Sequence, residues 1–525
     1  VAMPACVRRD APFRGRLEAR LHALVTELFL AGSAVGAQVA VFRRGRLIAD
    51  VAAGELGPHD PRRVTSSTLF NVFSASKGVM AAALHRRLAA IGAPMARGDG
   101  WPGAVGGYDW PVRAVWPEWG AEEAADRDGA AGDADDDATA AAASASRRRL
   151  GWKRRITLRH VLTHQAGMAH CLPSDGMSLA RMADCEGMEA FLASPEALPL
   201  HPPGAFSSYH YYNFGFALSG VLRRLGADGP GTGGPSPAEA AAELARSLDA
   251  SAADGRAWRV ADELFLGLPD DVAYGGPRLA KLSMDTASLM SGGGRGGGLA
   301  AMLGGSGEEP GEADAFDDDD DPGSRAGAPA DAARAYEERL AARDAAGMIG
   351  AARSLKGREY LLDPRVFNRE VVRRGQVPAA NGHASARALA AVYDGLLGCL
   401  PDAGGGGGGG GLVPPERAAA TVLPQPGTAA RGIGAGVALM AGAEAEQDAP
   451  RWGLGFQVYG PGRLAAFGHA GVGGSIGLAD PAAGIAVAVT VNKLSGDLSA
   501  TRALLRLVAE ETGLDAGRMA SQRDA

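Results

Sequence analysis

At 525 residues and 46% hydrophobic composition, the chain is long enough to bury a substantial core, which excludes a wholly disordered protein. A net charge of -7, concentrated in acidic runs at Asp135 to Asp137 and Asp317 to Asp321, argues against nucleic acid as a partner. The 77 glycines exceed ordinary usage, and tracts such as Gly292 to Gly298 and Gly404 to Gly411 read as flexible insertions, so the foldable part is smaller than the whole.

From Arg16 to Leu30, apolar residues at Leu17, Leu21, Leu24, Val25 and Leu28 recur at helical spacing and predict an amphipathic helix. Gly36 to Phe42 and Leu47 to Gly54 flank Arg43, Arg44 and Gly45, which predicts a hairpin turning at the glycine. Val79 to Ile91 is rich in Ala, Leu and Met and lacks Gly and Pro, so a helix is expected to begin near Ser74. The acidic, Ala-rich stretch from Glu122 to Ser146 reads as a disordered surface insertion, as does the stretch from about Ser291 to Ala332, with the Gly404 tract a third. The basic run Arg147 to Arg149, with Lys153, Arg154 and Arg155, reads as the solvated end of a linker.

Four strands are expected near the end, at Trp452 to Val458, Leu464 to His469, Ser475 to Asp480 and Gly484 to Asn492. A last amphipathic helix follows at Ser499 to Glu511. Helix and hairpin at one end, with strands and helix at the other, imply one sheet domain completed by both ends of the chain. The expected fold class is α+β: an antiparallel β-sheet flanked by N- and C-terminal helices, with an inserted mostly helical domain. Residues 12–78 and 450–515 would form the sheet domain and 79–440 the helical one, with disordered insertions near 119–150, 291–345 and 403–412.

Cys6, Cys171, Cys185 and Cys399 form no C-x-x-C pair and no His/Cys cluster at zinc-finger spacing, so no metal or other cofactor is implied and a reduced intracellular compartment is favoured. No apolar run reaches the ~18 residues that a membrane-spanning helix needs. The sequence opens at Val1 without a signal-like apolar core, which leaves targeting and any upstream segment open, and oligomeric state is open too.

Ser74-Ala75-Ser76-Lys77 spells S-x-x-K at the expected helix start, where positions three apart share a face and a hydroxyl can meet an amine. A serine hydroxyl becomes nucleophilic only when a base takes its proton, and a lysine serves near neutral pH only if burial or a neighbouring cation lowers its pKa. The bland alternative is that Ser74 simply caps the helix. Gly473 to Gly477 also matches G-x-S-x-G, but a nucleophile elbow needs a following helix, and here another apolar strand follows.

Phe70 to Gly78 resembles the nucleophile segment of class C beta-lactamase-like esterases, and Ile156 to Gly167, with His160 and His164, is similar to their helix-and-loop signature. Pro203-Gly204, then Tyr209-His210 and Gly215, resemble their tyrosine segment. Gly468-His469-Ala470-Gly471 followed by Gly473-Gly474-Ser475 is similar to their final strand motif. Asp109 to Val112, Trp116 to Glu118, Gly267 to Pro269 and Pro378 to Gly382 fit one esterase-like branch, so the resemblance covers most of the chain from about Arg16 to Leu514.

The resemblance implies a beta-lactamase/transpeptidase-like fold and a serine hydrolase, a carboxylesterase working through a covalent acyl-serine. Ser74 would be the nucleophile, with Lys77 and Tyr209 sharing the acid and base work in an order left open; Tyr211 is the alternative to Tyr209. The backbone N–H groups of Ser74 and Val472 would form the oxyanion hole, with His469 and Gly471 beside the substrate. His469 stands either as a substrate-facing group or as a strand residue bracing the site, and His160 and His164 as helix caps or loop braces. Where penicillin-binding relatives carry K-T-G this chain has His469-Ala470-Gly471, which favours an ester or amide substrate over a beta-lactam. The alternatives are acyl transfer to an alcohol through the same acyl-enzyme, or a noncatalytic binding or scaffold protein that keeps the fold.

Overall fold

A computed structural model describes residues 4–9, 11–93, 107–121, 137–173, 176–205, 207–252, 257–273, 276–285, 361, 363–401, 412–428, 451–460, 465–496 and 498–514. In chain order, helix α1 (Arg16–Leu30) leads into strands β1 (Gly36–Arg43), β2 (Arg46–Gly57) and β3 (Asp60–Arg63). Helices follow: α2 (Ala75–Ala90), α3 (Asp137–Arg155), α4 (Leu158–Leu162), α5 (Cys185–Ala193), α6 (Asn213–Leu222), α7 (Pro237–Ala250) and α8 (Ala386–Leu397). The chain then returns through β4 (Arg451–Trp452), β5 (Gln457–Tyr459), β6 (Ala466–Ala470), β7 (Ile476–Asp480) and β8 (Ile485–Val491) to α9 (Ser499–Thr512).

The strands form an eight-stranded antiparallel sheet in the order β4-β5-β6-β7-β8-β1-β2-β3. Its centre joins the two ends of the chain, with Ala37 opposite Val491 and Arg43 opposite Ile485. The β1–β2 hairpin turns at Arg44 and Gly45, whose φ values of 48° and 82° are the paired left-handed conformations that match the sheet's twist. Strand alternation then sorts the core. Val39, Val41, Val487 and Val489 face α1 and α9, whereas Ala40, Phe42, Ala486 and Ala488 face the other way.

That second face is covered by α8, a helix expected in the inserted helical domain at 79–440; the helix lies instead on the sheet. Ala386 N donates to Gln38 Oε1 (2.7 Å) and Gly45 N to Asp394 Oδ1 (3.1 Å). Small residues permit the approach, since a Cβ on Gly477 would sit 2.3 Å from the Tyr393 ring. The sheet has a second apolar face to cover, and α8 covers it.

The disordered insertion expected near 119–150 is partly helix. Trp119 is buried, and α3 begins at Asp137, where an alanine-rich run favours helix by propensity. Its last turns are anchored rather than solvated, which corrects the reading of the basic run. Arg149 Nε donates to Pro199 O (2.8 Å), and buried Lys153 donates to Ala193 O (3.1 Å) at the C-terminus of α5, where free carbonyls attract a cation. Residues 122–136, 291–345 and 403–411 lie outside the described residues. The strand expected at Trp452 to Val458 is two short strands, because the chain bends at Gly455 (φ 90°) to lie on α2, where a Cβ would meet that of Ala81 at 2.5 Å. Among the described residues, no helix is long and apolar enough to cross a membrane.

Candidate active site

The site forms where the N-terminus of α2 meets the end of β6. Phe70–Asn71 pairs with Gly382–Ala384, which pairs in turn with Leu264–Leu266, and Val72 N donates to Gly382 O (2.8 Å). Phe73, the residue before Ser74, has φ 44°, a left-handed conformation rare for a bulky residue and worth about 1–3 kcal/mol of strain. Three bonds hold it there. Phe73 N donates to Asn71 Oδ1 (2.9 Å), Ser76 Oγ donates to Phe73 O, and Gly382 N donates to Ser76 Oγ (2.9 Å). Neither Asn71 nor Ser76 was singled out from sequence, although both stand within the motif that was.

Ser74 takes the N-cap position of α2, but its side chain caps nothing. Its Oγ instead hydrogen-bonds Lys77 Nζ at 3.1 Å. The same amine donates to Tyr211 O (2.8 Å) and Ala379 O (3.2 Å), so one carbonyl from each of two distant segments fixes it beside the serine. Ala379 comes this close because Gly215 lacks a Cβ, which would lie 2.4 Å from Ala379 N. Lys77 is fully buried and makes no ion pair among the described residues, and desolvation pulls its pKa well below the usual lysine value.

Tyr209 completes the group. Its hydroxyl lies beside Ser74, and Lys77 Nζ lies 4.8 Å from its ring centroid. Burial raises the phenol's pKa, an effect the nearby Ser74 only partly offsets, so the side chain is a neutral phenol. The hydroxyl beside Ser74 is that of Tyr209; Tyr211 meets the amine through its backbone and packs edge-on against the Tyr209 ring (5.2 Å).

His469 is buried on β6, and its Nδ1 donates to Ala470 O (2.9 Å), leaving Nε2 as an acceptor without a hydrogen-bond partner among the described residues. Desolvation pulls its pKa down to about 3, so it is neutral. Gly471 is where β6 passes the nucleophile segment: a Cβ would lie 2.3 Å from Val72 O. Beyond it, Val472 begins a single turn of helix, and the Ser74 and Val472 N–H groups carry none of the backbone bonds that tie down Ala75, Ser76, Lys77 and Gly471. His160 caps α4 through Thr157, while His164 lies against Tyr209, ring centroids 4.7 Å apart. Trp452, which sequence reasoning missed, walls the site, stacked on Tyr209 at 5.8 Å and edge-on to His164 at 4.2 Å.

A sheet completed by both termini, with a serine and a buried lysine one helical turn apart facing its strand β6, is the beta-lactamase/transpeptidase-like fold of a serine hydrolase. The chain belongs to the beta-lactamase family, whose profile matches residues 16–232 and 314–510. Solved structures share the fold. A family VIII carboxylesterase is 20% identical over 95% of this chain and 99% of its own, with a TM-score of 0.58. A penicillin-binding protein homologue from Caulobacter crescentus is 22% identical (95% and 99% covered, TM-score 0.56), and EstA from Arthrobacter nitroguajacolicus Rue61a is 19% identical (96% and 99%, TM-score 0.56). No curated protein sequence matches the chain.

Proposed function

We propose that the chain is a carboxylesterase that works through an acyl-enzyme on Ser74. The observation that carries this reading is the 3.1 Å bond between Lys77 Nζ and Ser74 Oγ in a pocket whose burial disfavours the ammonium form. Lys77 takes the hydroxyl proton as Oγ bonds to the ester carbonyl carbon. The Ser74 and Val472 N–H groups receive the oxyanion, each such donor contributing roughly 3 kcal/mol to the transition state. As the tetrahedral adduct collapses, Tyr209 gives its phenolic proton to the departing alkoxide and regains one from the Lys77 ammonium. Water then attacks the acyl carbon, its proton passes to the same pair, and Ser74 Oγ leaves and is reprotonated.

The neutral phenol favours Lys77 over Tyr209 as the first base, because a phenolate would have to form in a site whose burial opposes it. Strand β6 favours an ester lacking the carboxylate of a beta-lactam: the motif residue is a neutral His469 where penicillin-binding relatives carry a cationic lysine. The structural neighbour described as a family VIII carboxylesterase agrees with that substrate class.

Intact-mass measurement after incubation with a fluorophosphonate, alongside turnover of short-chain p-nitrophenyl esters, tests the reading. Wild type is expected to gain a single adduct and to turn over ester, with both lost in Ser74→Ala. Absence of both from folded wild type would point to a noncatalytic binding protein.

A further inference from the structure

His164 is held in a conformation and a bonding pattern that helix capping does not account for. It has φ 59°, a left-handed backbone uncommon for a non-glycine residue, and its side chain is completely buried. The turn it belongs to is bonded along its length to the segment carrying Tyr209. Gly204 N donates to Gln165 O (3.0 Å), Ser207 Oγ to Thr163 O (3.0 Å), and Met168 N to His210 Nε2 (3.2 Å). The two bonds nearest Tyr209 converge on His164 alone. Ser208 N donates to its carbonyl (2.8 Å) and His210 N to its Nδ1 (3.1 Å), so the peptide N–H groups of both residues flanking the tyrosine end on one histidine.

The ring adds a third constraint, packing against both Tyr209 (4.7 Å) and Trp452 (4.2 Å, edge-on). Accepting at Nδ1 requires that nitrogen to be unprotonated. Burial, with His210, Lys77 and His469 nearby, opposes the charged form. We propose that His164 is the positioning residue of this site, fixing the phenol of Tyr209 against Ser74 by accepting the N–H groups on either side of it and backing its ring. The inference rests on the esterase reading of Ser74, Lys77 and Tyr209.

The idea explains the residue type. The position needs a side-chain acceptor three bonds from the Cα, a left-handed backbone and a flat apolar plate. Asparagine supplies the first two, since its Oδ1 occupies the place of Nδ1 and it tolerates αL; glycine supplies only the backbone, and alanine none of the three. A phenol displaced by about 1 Å is enough to lower turnover about 10²-fold with little change in KM, because binding surfaces away from the tyrosine stay intact.

The test measures kcat and KM for p-nitrophenyl butyrate, with fluorophosphonate labelling and thermal melting, in His164→Ala, His164→Gly and His164→Asn, each alone and combined with Tyr209→Phe. His164→Ala is expected to lower kcat about 10²-fold with KM changed less than about threefold, and His164→Asn to recover most of the loss. In the Tyr209→Phe background the same substitutions should cost almost nothing further, since a residue acting only through the phenol has nothing left to position. If the alanine variant fails to melt cooperatively, the glycine variant, free of backbone strain at φ 59°, takes its place. Full additivity of the losses, or a folded asparagine variant as poor as the side-chain-less ones, would overturn the proposal. Wild type with neither adduct nor turnover would overturn the esterase reading instead.

Discussion

Lys77→Met is expected to lower ester turnover roughly 10⁴-fold or more, as when one member of a cooperative catalytic unit is lost, while the protein stays folded. Methionine fills nearly the volume of the lysine stem without a basic nitrogen, so the Ser74 hydroxyl loses its proton acceptor. The variant should also reveal a cost that wild type carries. In the folded state desolvation pulls the Lys77 pKa well below its usual value, whereas in the unfolded chain it titrates near ~10.4. A depressed folded pKa means that stability is highest above the unfolded value and is lost as pH falls toward the folded one.

The methionine variant has no such term. Its melting temperature relative to wild type should therefore rise as pH is lowered from about 10 toward neutrality, set against a pH-independent loss of the amine's bonds to Tyr211 O and Ala379 O. Melting curves across that range check the sign. A pH-independent difference would mean that Lys77 is charged in the folded protein. The same titration governs catalysis: kcat/KM should fall on the acid side as Lys77 takes a proton, with its midpoint well below an ordinary lysine.

Gly471→Ala is the second substitution expected to have a large effect, for a steric reason. The added methyl would lie 2.3 Å from Val72 O and 3.1 Å from the Phe73 Cβ. The carbonyl is backbone and cannot swing aside, so β6 or the nucleophile segment must shift. Overpacking of this kind costs about 1–3 kcal/mol of stability. The catalytic penalty should be larger, because the displaced parts carry the two N–H groups proposed for the oxyanion, and about 10²-fold or more in kcat is expected. A kcat near wild type would remove Val472 N–H from the proposed mechanism. In contrast, Gly484→Ala lies at a distant turn and should leave kcat unchanged.

Much of the framework was legible because it rests on local patterns. The helix at Arg16–Leu30 follows from apolar spacing, the β1–β2 hairpin from the Arg44-Gly45 turn, and the last helix from its own periodicity. S-x-x-K is likewise local, since helical geometry alone brings positions three apart together, and Lys77 meets Ser74 as that geometry requires. Composition misled where a segment's partner is remote. The acidic, alanine-rich stretch and its basic end read as solvent-exposed, yet α3 runs from Asp137 and Lys153 is buried, because the carbonyls of α5 that receive its amine lie about forty residues further on.

Tertiary structure alone decided whether Ser74 caps its helix, since that depends on an amine held by carbonyls from Tyr211 and Ala379, 134 and 302 residues away from Lys77. It likewise brought Trp452 to Tyr209 and put α8 on the sheet, neither of which has a periodic signature. The amino-acid sequence by itself determined the reactive residue types, their spacing on one helix face and the order of the main elements. What it could not determine was the ionisation and orientation of those groups. Both are set by burial and by hydrogen bonds between segments far apart in the chain, which exist only once the two ends have closed the sheet.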